Sequence, residues 1–265
     1  MSNRTRIILT IIASIVFVIS GSRLAWDYYQ TYTANASYEE IRKEAVVDVV
    51  DLEPETPDED PVTTISIDFA SLKDINTDII AWLYIPGTPV SFPILHGTDN
   101  QTYLNRTFDK KSNVLGSIFQ DYRNKPDYTD RNTIIYGHNT SSDAMFGSLK
   151  KYKQQDYAEQ HIEVHIIRPD DVLVYEIFTV YEVLATSNTY TIGFGSDEAY
   201  SKYIEEMFKK SVVSVGTPPA SEHIITLSTC TGGNRDMRLV LQARFIASYP
   251  LSSLSNAALI SRPAA

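Results

Sequence analysis

The chain has 265 residues and a single cysteine, Cys230, so no disulfide can form within it. A lone thiol is either an inert buried group or a reactive one. Basic residues are outnumbered, 23 against 33 acids, and no stripe of Lys and Arg marks any segment, which excludes a nucleic-acid footprint. No spacing of His, Cys, Asp or Glu suits a metal ion, and the acids Asp170, Asp171 and Glu176 read as a solvated turn rather than a calcium loop. Neither metal nor cofactor is expected. Internal repeats are absent as well. What is present is an ordinary globular composition, 43% hydrophobic and 21% charged, enough for one good-sized core with appendages.

The first appendage is apolar. Residues 7–20 form a hydrophobic run preceded by Arg4 and Arg6, broken by Gly21-Ser22-Arg23 and followed by Trp26, Tyr28 and Tyr29. At about 1.5 Å per helical residue the run alone is short for a bilayer of about 30 Å. Snorkelling of Arg23 and an aromatic belt at the far interface extend the usable span to about twenty residues. The pattern reads as an uncleaved signal anchor with its N-terminus in the cytoplasm and the rest of the chain outside. The alternative is a cleaved signal peptide, although no clear A-x-A site follows.

The second appendage is acidic. Between residues 45 and 61 stand Asp48, Asp51, Glu53, Glu55, Asp58, Glu59 and Asp60, with Pro54, Pro57 and Pro61 and no basic residue. Such a segment reads as a solvated, self-repelling linker. It carries most of the formal net charge of −10, so that charge says little about the partners of the folded part. The expected organisation is an anchor over residues 1–27, an extracytoplasmic stalk with its acidic linker over 28–61, a folded domain over 62–250 and a poorly ordered Ser- and Ala-rich tail over 251–265.

Within the domain, short β-rich runs recur at 79–85, 90–95, 116–121, 133–138, 162–167, 172–186, 224–230 and 237–246, separated by turns such as Pro86-Gly87-Thr88-Pro89. This spacing predicts a mainly β fold, a mainly antiparallel barrel or sandwich rather than a βαβ sheet. Helices are expected at 68–75, 142–152 and 196–210, all peripheral. The last opens on Ser196-Asp197-Glu198 and sets Tyr200, Tyr203, Ile204, Met207 and Phe208 near one face.

Three strand ends carry chemistry. Ile224-Ile225-Thr226-Leu227-Ser228-Thr229-Cys230 presents a thiol just before a turn, and Ile134-Ile135-Tyr136-Gly137-His138 presents an imidazole. Arg238-Leu239-Val240 opens the next strand, beside Cys230 if the two strands form a hairpin. A free cysteine, with a pKa of about 8.5, is only a few per cent thiolate at neutral pH, so it needs a base or a stabilising charge. His138 can serve as that base. A guanidinium can donate to the oxyanion formed when sulfur attacks a carbonyl, an effect worth on the order of a hundredfold in rate. Singly, a buried structural cysteine, a turn histidine and a surface arginine are the plainer readings, and Arg235 and Arg244 compete with Arg238. Jointly, outside the cytoplasm, the catalytic reading prevails.

At these residues the chain resembles the sortases, membrane-anchored cysteine transpeptidases of Gram-positive bacteria. Thr226-Leu227-Ser228-Thr229-Cys230 matches the family's TLxTC strand, Tyr136-Gly137-His138 its histidine strand end and Arg238-Leu239-Val240 its arginine strand. The segments 79–88, 116–124 and 135–139, with the helix inserted before the cysteine strand, look like the class B branch. The resemblance implies an eight-stranded sortase β-barrel with peripheral helices and an N-terminal anchor helix. It implies Cys230 as nucleophile, His138 as general acid/base and Arg238 as oxyanion or carbonyl donor. Ser228, Tyr190 and Ile192 are the candidate substrate-binding residues. The implied reaction cuts a C-terminal sorting motif of a secreted protein after its Thr, with an N-P-x-T-like motif favoured over L-P-x-T-G. It holds the acyl group as a thioester on Cys230 and passes it to an amine of peptidoglycan precursor or cross-bridge, with hydrolysis as a side reaction. A pilin-polymerising sortase using a Lys acceptor is the near alternative. A secreted cysteine peptidase and a non-catalytic surface binding module are the distant ones; papain-like enzymes place Cys before His, the reverse of the order here.

Overall fold

A computed structural model of the chain describes residues 2–52, 62–140, 143–231 and 236–251. The chain begins with α1 (Asn3–Ala45), a helix of 43 residues capped by Ser2, whose side chain accepts from the Thr5 amide. At about 1.5 Å per residue it spans about 65 Å. Its N-terminal part contains an 18-residue window of mean hydropathy 2.2 with no buried residue, long and apolar enough to cross a membrane. The helix continues through Gly21, where the apolar run ends. No proline falls before Pro54, and a lone glycine costs a helix only about 1 kcal/mol, too little to end it against so many intact hydrogen bonds.

The C-terminal part of α1 belongs to the folded body. Ala34, Tyr38, Ile41 and Ala45 lie on one helical face and are buried, the i, i+4, i+7, i+11 pattern of a packed stripe. The acidic stretch that follows is not all linker. Its first part is β1 (Val46–Leu52), paired antiparallel with β2 (Val62–Ile67) in a two-stranded sheet. The strand is largely open to solvent: Val47, Asp48, Val49 and Asp51 are exposed while Val46 and Val50 are partly buried and Leu52 is buried, so the acids keep their water although the backbone is paired, with a register shift between Val46 and Asp48. The remainder of the expected linker, 53–61, lies outside the described residues, as does the expected tail beyond Leu251.

After α2 (Phe69–Ile75), capped by Asp68, come the strands of a closed eight-stranded barrel. They are β3 (Ile79–Tyr84), β4 (Ser91–His96), β5 (Ile118–Gln120), β6 (Asn132–Tyr136), β7 (Glu163–Ile167), β8 (Asp171–Leu184), β9 (Ile224–Cys230) and β10 (Met237–Pro250). Around the barrel the order is β10, β8, β7, β3, β4, β5, β6, β9. Six of these neighbours are antiparallel, in keeping with the mainly antiparallel expectation, while β4 with β5 and β6 with β9 run parallel. The β6–β9 pairing sets the site, because Tyr136 lies opposite Ser228 and both strands therefore end at the same rim. The near-continuous apolar runs of β3 and β4 follow from burial on both faces, between the barrel interior and the covering helices.

The helix expected over 142–152 is a correction too. Asp143 and Met145 adopt left-handed backbone, with φ of 58° and 50°, which no right-handed helix accommodates, and only a short 3-10 segment, Gly147–Lys153, follows. A second short helix, α3 (Gln155–Gln160), precedes β7. Helix α4 (Asp197–Lys209) lies where the sequence places it, between β8 and β9, with Ser196 as cap. Its buried face of Tyr200, Tyr203, Ile204 and Met207 packs with Phe178, Tyr181, Ile224 and Val240 against the barrel wall.

Candidate active site

Cys230 is the last residue of β9 and is partly exposed. Arg238 stands directly opposite it on β10, as the hairpin reading expects. Its competitor Arg235 lies outside the described residues. The other competitor, Arg244, is bound to Glu176 at 3.2 Å and pairs with Ile224 at the far end of β9, away from the thiol. His138 follows β6 by two residues, and the parallel β6–β9 ladder brings it to the rim that carries Cys230. The three side chains line one cavity of about 220 Å³ together with Asn100, Leu104, Phe119, Tyr136, Gly137, Ser228 and Thr229.

The imidazole is held from one side. His138 Nε2 lies 2.7 Å from the Leu104 carbonyl oxygen, which can only accept, so Nε2 carries a proton and Nδ1 is the nitrogen left to exchange one. Gly116 makes room for this ring: a Cβ there (φ 58°) would sit 2.6 Å from the Leu104 oxygen and 2.9 Å from His138 Cδ2, while one at Gly137 would strike Ile118 Cδ1 at 2.4 Å and the Phe146 ring at 2.7 Å. Beyond the ring, Asn139 Nδ2 donates to the Cys230 carbonyl oxygen at 2.8 Å and extends the β6–β9 connection to the backbone that carries the thiol.

A wall of stacked rings flanks the thiol. The Tyr190 hydroxyl lies 2.9 Å from Ser228 Oγ, and its ring stacks on Tyr136 at a centroid distance of 6.1 Å. Tyr136 in turn donates to Asp121 Oδ2 at 3.0 Å, while Arg123 grips the same carboxylate through Nε at 2.9 Å and Nη2 at 2.7 Å. Burial pushes the Asp121 carboxyl upward, but the Arg123 and Tyr136 bonds outweigh it and hold the group below the ordinary range. Burial raises Tyr190 above the usual phenol value, against the Ser228 bond and the Arg238 charge, so it stays neutral near pH 7. Tyr136, Tyr190, Arg123 and Arg238 also line a neighbouring cavity of about 450 Å³ closed by Ala185, Thr186, Ser187 and Thr191. Of the three residues expected to bind substrate, Ser228 and Tyr190 stand at the site. Ile192 is partly buried and lines neither cavity; its neighbour Thr191 does so instead.

The loop that bears Tyr190 is fixed by a buried polar network which sequence reasoning missed. Asn132 on β6 donates to the Thr189 and Thr191 carbonyls at 3.1 and 2.9 Å and accepts from Thr226 Oγ1 at 2.7 Å. Gln242 on β10 donates to the Tyr203 hydroxyl at 2.7 Å, and Tyr203 donates to the Thr189 carbonyl at 2.8 Å. Three strands, α4 and the loop thus meet at one buried hydrogen-bonded cluster. The signal available in sequence was the presence of Asn132, Thr226 and Gln242 inside otherwise apolar strand runs.

A cysteine, a histidine and an arginine at one rim of a closed eight-stranded barrel define a sortase, and the comparisons agree. The sortase domain model matches residues 83–246, and the chain belongs to the sortase family. Within it the chain is class B-like. It is 27% identical over 242 residues to sortase B of Staphylococcus aureus, covering 90% of this chain and 96% of that one. The crystal structure of Clostridium perfringens sortase B superposes with a TM-score of 0.64 at 32% identity, over 68% of this chain and 100% of that one. S. aureus sortase B has been solved with a substrate, and sortase B has also been solved with triglycine. Each matches at TM-score 0.63 and 32% identity over 67% of this chain, and over 84% and 85% of theirs. The chain is accordingly a sortase transpeptidase.

Proposed function

We propose that this transpeptidase works through Cys230 as nucleophile, His138 as general acid/base and Arg238 as donor to the substrate carbonyl. The observation that carries the reading is the single cavity lined by all three side chains, with Cys230 and Arg238 directly opposed on neighbouring strands. The Cys230 thiol gives its proton to His138 Nδ1 and its sulfur attacks the carbonyl carbon of the sorting motif's Thr; a C–S bond forms and the carbonyl electron pair moves to oxygen, where the Arg238 fork donates. Collapse of this adduct breaks the C–N bond, and the leaving amine takes a proton from His138 Nδ1. The acceptor amine then attacks the thioester and gives its proton to the same nitrogen, and the C–S bond breaks to regenerate the thiol. Water in place of the amine gives hydrolysis as a side reaction.

Ser228 and Tyr190, joined by their hydroxyls, form the wall against which the sorting motif lies, and Ile192 flanks them from the same loop. The substrates are secreted proteins with a C-terminal sorting motif of the N-P-x-T type, and the acceptor is an amine of peptidoglycan precursor or cross-bridge; the sortase B complexes with substrate and with triglycine support both kinds of partner. Residues 1–27 anchor the protein in the cell membrane, with Arg4 and Arg6 inside and the barrel outside. Residues 28–61 connect the anchor to a catalytic domain over 62–250, to whose body the end of α1 and β1 also belong.

Intact-mass spectrometry of the full chain in detergent, mixed with Asn-Pro-Xaa-Thr peptides with and without triglycine, tests the reading. An acyl adduct on Cys230 that is consumed into peptide–triglycine product is expected. Product formation by a Cys230→Ala variant would sink the nucleophile assignment. A membrane-impermeant thiol reagent that fails to label Cys230 on intact cells, yet labels it after lysis, would refute the orientation.

A further inference from the structure

The helix that carries the apolar N-terminal segment meets the domain on the same backbone that braces His138. Tyr38, on the buried face of α1, donates its hydroxyl to the Gly116 carbonyl at 2.8 Å and lies 3.1 Å from Ser117 Oγ. Its ring is held edge-on by Phe92 and Phe108, at centroid distances of 5.6 and 5.0 Å. Two helical turns earlier, Gln30 accepts through its backbone carbonyl from Asn113 Nδ2 at 3.0 Å and through its side chain from the Val114 amide at 3.3 Å. The segment 113–117 is therefore tied to α1 at both ends.

That segment is also the floor beneath the imidazole. Gly116 packs so closely that a Cβ there would meet both the Leu104 oxygen and His138 Cδ2, and the Ser117 amide donates to the Tyr103 carbonyl at 2.9 Å. Leu104, the next residue, provides the carbonyl that receives His138 Nε2–H. Even a small shift at Gly116 has nowhere to go except into the ring or its acceptor, because close-packed interiors transmit displacement.

We propose that Tyr38 is a positioning residue for His138: by holding the Gly116–Ser117 backbone, the membrane-anchored helix sets the orientation of the imidazole in the active site. The proposal rests on the assignment of His138 as general acid/base. Tyr38 touches neither substrate nor the reacting atoms and acts only through the 103–104 and 116–117 backbone. Removing its hydroxyl leaves the Gly116 carbonyl without this donor in a buried place, where an unmade hydrogen bond is costly. Misplacement of a catalytic group by a fraction of an ångström is expected to cost about tenfold in turnover.

The test uses the full chain in detergent, an Asn-Pro-Xaa-Thr peptide and triglycine, comparing Tyr38→Phe, Ser117→Ala, Gln30→Ala and His138→Gln. Tyr38→Phe keeps the ring packing and is expected to lower kcat about tenfold with KM held, since Tyr190 and Ser228 are untouched. In histidine labelled with nitrogen-15, the Nε2–H resonance of His138, assigned by its loss in His138→Gln, should shift and exchange faster with water. A structural role alone would lower the melting temperature and leave that resonance in place. Ser117→Ala should reproduce the effect in weaker form, and Gln30→Ala should leave kcat unchanged. Unchanged kcat and an unmoved resonance in Tyr38→Phe, with His138→Gln inactive, would overturn the coupling. Equal losses in Gln30→Ala would show attachment in general, not Tyr38, to matter. Full activity in His138→Gln would instead remove the acid/base assignment on which the proposal stands.

Discussion

The Asp121 carboxylate is the concealed support of the ring wall, and replacing it by asparagine isolates what its charge contributes. Its side chain is fully buried, and its two oxygens accept four hydrogen bonds. Oδ1 accepts from the Arg123 amide and Nε, at 3.0 and 2.9 Å, and Oδ2 from Arg123 Nη2 and the Tyr136 hydroxyl, at 2.7 and 3.0 Å. Asp121→Asn keeps the shape but turns one acceptor oxygen into a donor facing donors, so two of the four bonds are lost. Bonds to a charged group contribute about 1.5–3 kcal/mol each. The Arg123 side chain is 46% exposed and regains water when released, which discounts its share to roughly that of a surface pair. The net loss is then about 2 kcal/mol, or about 4–8 °C in melting temperature for a domain of this size. The pH dependence gives the sharper test. The folded carboxyl titrates below its unfolded value of about 3.9, so its stabilisation is fully present above that pH and is lost as pH falls through the folded value. Urea unfolding of both proteins from pH 7 to pH 2.5 should show a gap that closes on the acid side, and peptide KM should rise in the variant as Tyr136 loosens beneath Tyr190. A gap that stays constant down to pH 2.5, or none at pH 7, would refute the charge argument.

Other substitutions probe the site directly. Cys230→Ala should abolish acyl-adduct formation while leaving the melting temperature within a few degrees, because β9 tolerates a small side chain at its partly exposed end; mass spectrometry and calorimetry read the two outcomes. Arg238→Lys should lower kcat at least tenfold in the peptide–triglycine assay, since a point charge does not reproduce a planar fork. Asn139→Ala removes the 2.8 Å bond to the Cys230 carbonyl and should cost about 1 kcal/mol in urea unfolding together with a fall in kcat rather than a rise in KM. Burial raises the phenols of Tyr128, Tyr175 and Tyr181, which the unfolded chain would titrate near pH 10. Their contribution is therefore present below that pH and lost above it, and the urea midpoint should fall between pH 9 and pH 11.

The barrel's strands were legible because each is a dense run of β-branched and aromatic residues between turns, and β9 was legible to the residue. Their neighbours were not. Whether β4 lies beside β5 in parallel is decided by packing between segments more than twenty residues apart, and no local pattern encodes it. The same reason hid the role of α1. The valines at 46, 47, 49 and 50 were a β-forming signal, yet the count of acids and prolines dominated the reading of 45–61 and concealed β1. Likewise the stripe Ala34, Tyr38, Ile41, Ala45 carries a helical period, but an apolar residue beyond a membrane segment gives no sign of which surface it meets.

Legibility of the site divides along the same line. Cys230, His138 and Arg238 stand out because their chemistry is rare at strand ends and because a β-hairpin places one opposite another by arithmetic alone. The groups that hold them do not stand out, since their chemistry is ordinary. Asn132, Thr226 and Gln242 are uncharged polar residues in strands, Asp121 follows a strand as acids commonly do, and Asn139 sits in a loop where asparagine is frequent. Each becomes informative only when the fold removes it from water, because a buried polar atom must then find its partner and so fixes whatever that partner carries. In this chain the partners are the Tyr190 loop, the Tyr136 ring and the Cys230 backbone. The candidate reacting groups can thus be picked out in the sequence, whereas their relative placement is decided by residues whose importance exists only in the folded state.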